Sequence, residues 1–131
     1  MAKKTVLIVD DAIFMRIILR KLFELDGRCE IVGEACNGLE GIEKAIALQP
    51  DIITMDVVMP DLNGIEAMKE IKKQCPKTKV VMITSVSNYQ MVRKVIEIGA
   101  FDYLPKPIDS NDLNLLLEKI YKAEEDEKNE R

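Results

Sequence analysis

A chain of 131 residues, 47% hydrophobic and 32% charged, has material for one buried core and too little length for two ordinary domains. The absence of histidine excludes Ser-His triads, histidine metal ligands and a phosphohistidine carrier within the chain itself, and no apolar run nears the ~18 residues of a membrane span. The net charge of −4 is concentrated in EEDEKNER (124–131), with five acids and two bases, so the body is nearly neutral and has no basic stripe for nucleic acid.

The opening MAKKTVLIVDD passes from lysines directly into an apolar run, without the long apolar stretch or small-residue cleavage site of a signal peptide. A cytoplasmic protein is expected. Cys29, Cys36 and Cys75 are scattered without CxxC spacing, so reduced core thiols are expected in place of a disulfide or zinc framework.

Short strand-like runs alternate with stretches of helical period. Thr5–Asp10 reads as a strand, and the next segment places Phe14, Ile17, Ile18, Leu22 and Leu25 at the three-and-four spacing of one buried helix face, with Arg16, Arg20 and Lys21 on the wet side. A strand over Glu30–Ala35 and a helix over Gly38–Leu48 follow. Pro50-Asp51 breaks the chain before a strand at Ile52–Asp56. Asn63 and Gly64 open a helix with core positions Ile65, Met68 and Ile71, which stops before Pro76.

The run Val80–Ile83 is apolar throughout, as in a central strand covered on both faces. A helix over Tyr89–Ile98 ends at Gly99, Phe101–Leu104 is a short strand, and a last helix spans Ser110 to Ala123. In it Leu113, Leu116, Leu117 and Ile120 form the buried stripe and Leu115 points away. Five β-α units in order predict a doubly wound (βα)5 α/β fold, a parallel five-stranded sheet with right-handed crossovers. The expected division is a domain over 1–123 and a charged C-terminal tail over 124–131, most simply a frayed helix end.

Asp10 and Asp11 end the first strand and Asp56 ends the third. In a parallel sheet those ends share one edge, where open α/β folds hold ligands. The three carboxylates therefore converge, and like charges that close repel unless a cation lies among them. Helix capping is the competing use for the Asp10–Asp11 pair.

VLIVDD, MDVVMPDLNG around Asp56, VMITS around Thr84 and YLPKP around Lys106 resemble, in order and spacing, the receiver domain of bacterial response regulators over essentially residues 5–123. The segment DDAIFMR resembles the chemotaxis-type, CheY-like members in particular. The resemblance implies the flavodoxin-like strand order 2-1-3-4-5. It implies Asp56 as the phosphoacceptor, a carboxylate able to form an acyl phosphate. Mg²⁺, or Mn²⁺ as its substitute, would be held by Asp11 directly, Asp10 through water, Asp56 and the Val58 main-chain carbonyl. Lys106 would pair with the phosphoryl group, before a cis bond to Pro107. Thr84 and Tyr103 would be the switch residues, and the Ser85 backbone N–H would approach the phosphoryl group.

The implied function is a phosphorylation-activated, two-component phosphorelay response regulator. A sensor histidine kinase would be its donor, and a target protein, the flagellar motor switch among the candidates, would bind the face made by the fourth helix, fifth strand and fifth helix. Gln90, Arg93, Lys94, Lys119 and Lys122 fall near that face. A phosphatase is a further expected partner; nucleic acid and membrane are not, and the expected state is a monomer or a phosphorylation-dependent dimer. The alternative output is transcription, through an effector domain that is absent or a separate chain.

An independent enzyme is disfavoured, because Val58 stands where aspartate-nucleophile phosphohydrolases carry a second aspartate and DDAIFM lacks the hydroxyl- and glycine-rich phosphate loop of a flavodoxin. The domain would catalyse only its own phosphorylation and dephosphorylation. Val58 and Val86 are apolar where many relatives flank the attacking water with polar side chains, which predicts slow loss of the phosphoryl group.

Overall fold

The computed structural model describes residues 3–86 and 88–129. The elements are β1 (Lys4–Val9), α1 (Ile13–Asp26), β2 (Cys29–Ala35), α2 (Gly38–Leu48), β3 (Ile52–Met55), α3 (Gly64–Gln74), β4 (Lys79–Thr84), α4 (Tyr89–Ile98), β5 (Asp102–Pro105) and α5 (Ser110–Asn129). All neighbouring strands pair in parallel, in the order β2-β1-β3-β4-β5. This is the expected (βα)5 architecture.

Strand alternation divides the core into two layers. Leu7, Val9, Ile53, Met55, Val80 and Met82 face Ala45 of α2, Ile65, Met68 and Ile71 of α3, and Val95 of α4. The intervening residues Val6, Ile8, Ile52, Val81 and Ile83 face Leu19 and Phe23 of α1 and the α5 stripe of Leu113, Leu116, Leu117 and Ile120. Both sheet faces are thus covered, which is why the central strands carry almost no polar residue. Asn37, Asn63 and Asn88 cap α2, α3 and α4, each side chain accepting from a backbone N–H three residues on.

Two expectations about the helices need correction. In α1 the fully buried residues are Leu19 and Phe23, whereas Phe14 is 70% and Leu25 85% exposed and Ile17 is also exposed. Apolar residues surround so much of this helix that spacing alone could not say which arc meets the sheet. Arg16, assigned to the wet side, is half-buried.

The last helix runs on to Asn129, beyond Ala123. Its added turns meet the opposite charges of two strand starts: Glu124 pairs with Lys4, and Glu127 lies 3.6 Å from Lys79. The segment expected as a charged tail is therefore helix through Asn129; Glu130 and Arg131 lie outside the described residues. All three cysteines are free. Cys29 and Cys75 are buried as expected, but Cys36 is exposed.

Candidate functional site

Strand pairing brings the acids together. Val9 of β1 pairs with Met55 of β3, so the next residues, Asp10 and Asp56, leave the sheet side by side, and Asp56 N–H donates to the Val9 carbonyl at 3.3 Å. Carboxylate oxygens of Asp10, Asp11 and Asp56 lie within 4.8 Å of one another. Asp10 and Asp56 are buried, at 1% and 7% exposure, while Asp11 is exposed.

Thr84 at the end of β4 pairs with Pro105 of β5, and the Thr84 carbonyl accepts from Lys106 N–H at 2.9 Å. That anchor delivers the Lys106 side chain to the acids: its Nζ lies 2.8 Å from Asp10 Oδ2 and 2.7 Å from Asp56 Oδ2. Burial opposes the Lys106 charge, but hydrogen bonds to Asp10 and Asp56 outweigh it and raise its pKa. The Lys106–Pro107 peptide is cis.

The remaining Asp56 oxygen, Oδ1, accepts from Val58 N–H at 3.1 Å. The Val58 side chain is 59% exposed, and Val86, beyond Thr84, is half-buried. Thr84 is fully buried, and its hydroxyl accepts from Val86 N–H at 3.3 Å. Ser85 is exposed at the same strand end. Tyr103 packs against the α2–α3–α4 layer, and its buried hydroxyl has no hydrogen-bond partner among the described residues. Burial raises its pKa, with the Asp56 charge adding to the effect.

The capping alternative is realised only in part. Ala12 occupies the N-cap of α1 without a side-chain bond, and Asp10 Oδ1 accepts from Ala12 N–H at 2.9 Å. One oxygen of Asp10 thus orders the turn into α1 and the other faces Lys106, while Asp11 is the exposed member of the cluster.

Two further residues shape the site. A Cβ at Gly64 would lie 2.1 Å from the Asp56 carbonyl oxygen, so only glycine lets the start of α3 press against the strand end that presents Asp56. Arg16 donates to the Asp10 carbonyl at 2.6 Å. Gly64 was legible in MPDLNG as a helix start but not as a close approach. Nothing in the spacing of α1 marks Arg16.

Three carboxylates face one ammonium within this cluster, leaving two formal negative charges uncompensated. The donors are hard oxygens, without sulfur or imidazole, a set that suits Mg²⁺ or Mn²⁺. The residues present therefore fit a divalent cation.

The chain matches the model of the response regulator receiver domain over residues 6–118. It belongs to that family. The receiver is 44% identical over 119 residues to the chemotaxis protein CheY of Thermotoga maritima, covering 91% of this chain and 98% of that protein. It is 45% identical over 113 residues to protein-glutamate methylesterase/protein-glutamine glutaminase 1 of Geobacter sulfurreducens, covering 84% of this chain but 31% of that enzyme. The chain thus spans nearly the whole of one relative and about a third of the other.

Among solved structures, the receiver superposes on the CheX-CheY-BeF3-Mg²⁺ complex of Borrelia burgdorferi with a TM-score of 0.86 and 28% identity, covering 90% of this chain and 89% of that one. A receiver is a signalling domain, and in the methylesterases it makes up only part of the chain. Among the described residues no helix is long and apolar enough to cross a membrane.

Proposed function

We propose that this receiver is a phosphorylation-activated response regulator that accepts a phosphoryl group on Asp56 from a histidine kinase and thereby changes its affinity for a target protein in the cytoplasm. The observation that carries this reading is the charge imbalance at the sheet edge: Asp10, Asp11 and Asp56 within 4.8 Å, with Lys106 bridging Asp10 and Asp56.

An Asp56 oxygen attacks phosphorus, the P–N bond to the donor imidazole breaks and the imidazole retains a proton, leaving an acyl phosphate. Asp11 directly, Asp10 through water, Asp56 and the Val58 carbonyl would hold a Mg²⁺, which would supply charge neutralisation for the phosphoryl oxygens. Lys106, already on Asp56, moves with the new phosphoryl oxygens as a point charge on a flexible stem. The Thr84 hydroxyl and Ser85 N–H, at the neighbouring strand end, donate to the same group. Hydrolysis of the acyl phosphate by water releases inorganic phosphate and restores Asp56, and a phosphatase would hasten it.

A protein donor is supported by Ile13, Phe14 and Ile17, exposed apolar residues on the turns of α1 directly after Asp11. Singly these would be ordinary; together beside a buried nucleophile they suit a macromolecular partner. Tyr103 supports the switch. A buried hydroxyl without a partner is costly, so an outward ring with its hydroxyl in water competes with the inward one.

The readout face is α4, β5 and α5. There Leu115 of α5 is 49% exposed, and Gln90 and Lys94 of α4 and Lys122 of α5 are also exposed. Chemotaxis is the output we infer, through a target such as the flagellar motor switch, because the relative matched over nearly its full length is a chemotaxis protein. The presence of BeF3 and Mg²⁺ in the Borrelia complex supports a phosphoryl-like ligand and a cation in this fold.

The test is intact mass after incubation with a small-molecule phosphodonor, with and without Mg²⁺, beside Asp56→Asn. Metal-dependent gain of one phosphoryl group by the wild type alone is expected. No gain, with cation binding demonstrated, would mean a constitutive binding module.

A further inference from the structure

Asp10 is tied at every polar atom. Its N–H donates to the Ala35 carbonyl at 3.0 Å, Oδ1 accepts from Ala12 and Oδ2 from Lys106. Its main-chain carbonyl, past the last ladder pair of β1, accepts from the Arg16 guanidinium at 2.6 Å. A buried carbonyl at a strand end needs a partner, but this one is charged and is itself held in place.

Arg16 Nε lies 3.3 Å from Glu34 Oε1 on β2. Glu34 Oε2 in turn accepts from Arg20 Nε and a terminal nitrogen at 2.8 and 2.6 Å, and the Glu34 carbonyl accepts from Lys44. The chain of contacts therefore runs from α2 and β2 through Glu34 and Arg16 to the peptide joining Asp10 and Asp11. A planar guanidinium can serve a carbonyl and a carboxylate together, which an ammonium does poorly. Glu34 also offsets the Arg16 charge beside a site that attracts cations.

We propose that Arg16 is a positioning residue for the divalent-cation site: it fixes the Asp10–Asp11 peptide so that both carboxylates converge with Asp56, and Glu34 anchors it. This role rests on reading the three carboxylates as a cation site.

Electrostatics and positioning predict opposite signs. Removing a positive charge near a cation site should tighten cation binding, whereas releasing an outer-shell contact should weaken it. The experiment is Mn²⁺ titration of the full chain, followed by the electron paramagnetic resonance signal of free Mn²⁺, with circular dichroism to confirm folding.

Arg16→Met is expected to weaken Mn²⁺ binding roughly tenfold. Arg16→Lys, which keeps the charge but cannot fork between the Asp10 carbonyl and Glu34, is expected to weaken it by roughly threefold. Unchanged or tighter binding by folded Arg16→Met would overturn the proposal; if that variant does not fold, unchanged binding by Arg16→Lys would do so. No Mn²⁺ binding by the wild type would overturn the cation site itself and this role with it. Wild-type binding with unaltered variants would overturn the positioning role alone.

Discussion

The two ends of the sheet use charge in opposite ways. At the amino end, Lys4 and Lys79 begin β1 and β4 and each meets an acid from α5, Glu124 or Glu127. Those pairs are complementary and close. At the carboxyl end, Asp10, Asp11 and Asp56 lie together with Lys106 reaching only Asp10 and Asp56, an arrangement that gathers three like charges against one opposite charge. The first pattern joins a helix to a sheet; the second leaves an excess of negative charge that a divalent cation can meet. Lysines and carboxylates meet at both edges, and the balance of signs separates the structural pairs from the candidate site.

Lysine replacement at each end gives the largest contrast. Lys106→Met is expected to slow phosphoryl incorporation on the order of a hundredfold, read as initial rate with a small phosphodonor and Mg²⁺, while Lys79→Met leaves that rate unchanged. Stability should follow the raised Lys106 pKa. A folded pKa above the unfolded one means that its ion pairs contribute fully below the ordinary lysine value and are lost as pH rises through the raised one. The difference in urea midpoint between wild type and Lys106→Met should therefore narrow in strongly alkaline solution and stay constant around neutrality.

Gly64→Ala is next. Its Cβ would meet main-chain oxygen that cannot swing aside, so the variant should lose about 2 kcal/mol of stability in urea titration and carry an altered Asp56. Smaller still is the effect of polarity near the nucleophile. Replacing Val58 and Val86 together by polar residues is expected to shorten the acyl-phosphate lifetime several-fold with little change in stability; an unchanged decay rate would remove any role for these valines. At the amino end, Lys4→Gln should cost less than about 1 kcal/mol, and 1 M salt should diminish the difference.

The sheet and the gathering of Asp10, Asp11, Asp56 and Lys106 at its carboxyl edge were legible in the sequence because each rests on local pattern. Apolar runs ending in Asp10 and Asp56, and Lys106 set between two prolines, are visible without tertiary information. What escaped were contacts between remote segments. The burial of Leu19 and Phe23 in place of Phe14 and Leu25 depends on which arc of α1 the sheet covers. Over residues 124–129 the helix carries Glu124 and Glu127 to lysines as far as 120 residues away. Arg16 reads as a surface cation until the fold brings Glu34 alongside it, and Gly64 reads as a turn residue until Asp56 lies against it.

Reduction of the phosphorylated receiver with borohydride, followed by peptide mapping, tests the assignment of the carboxyl edge most directly, because an acyl phosphate of aspartate is converted to homoserine at the residue that carried it. Homoserine at position 56 alone, formed only in the presence of Mg²⁺, is the predicted result. Homoserine at position 10 or 11, or equal labelling without the cation, would contradict the assignment of Asp56 as acceptor and of the other two acids as cation holders.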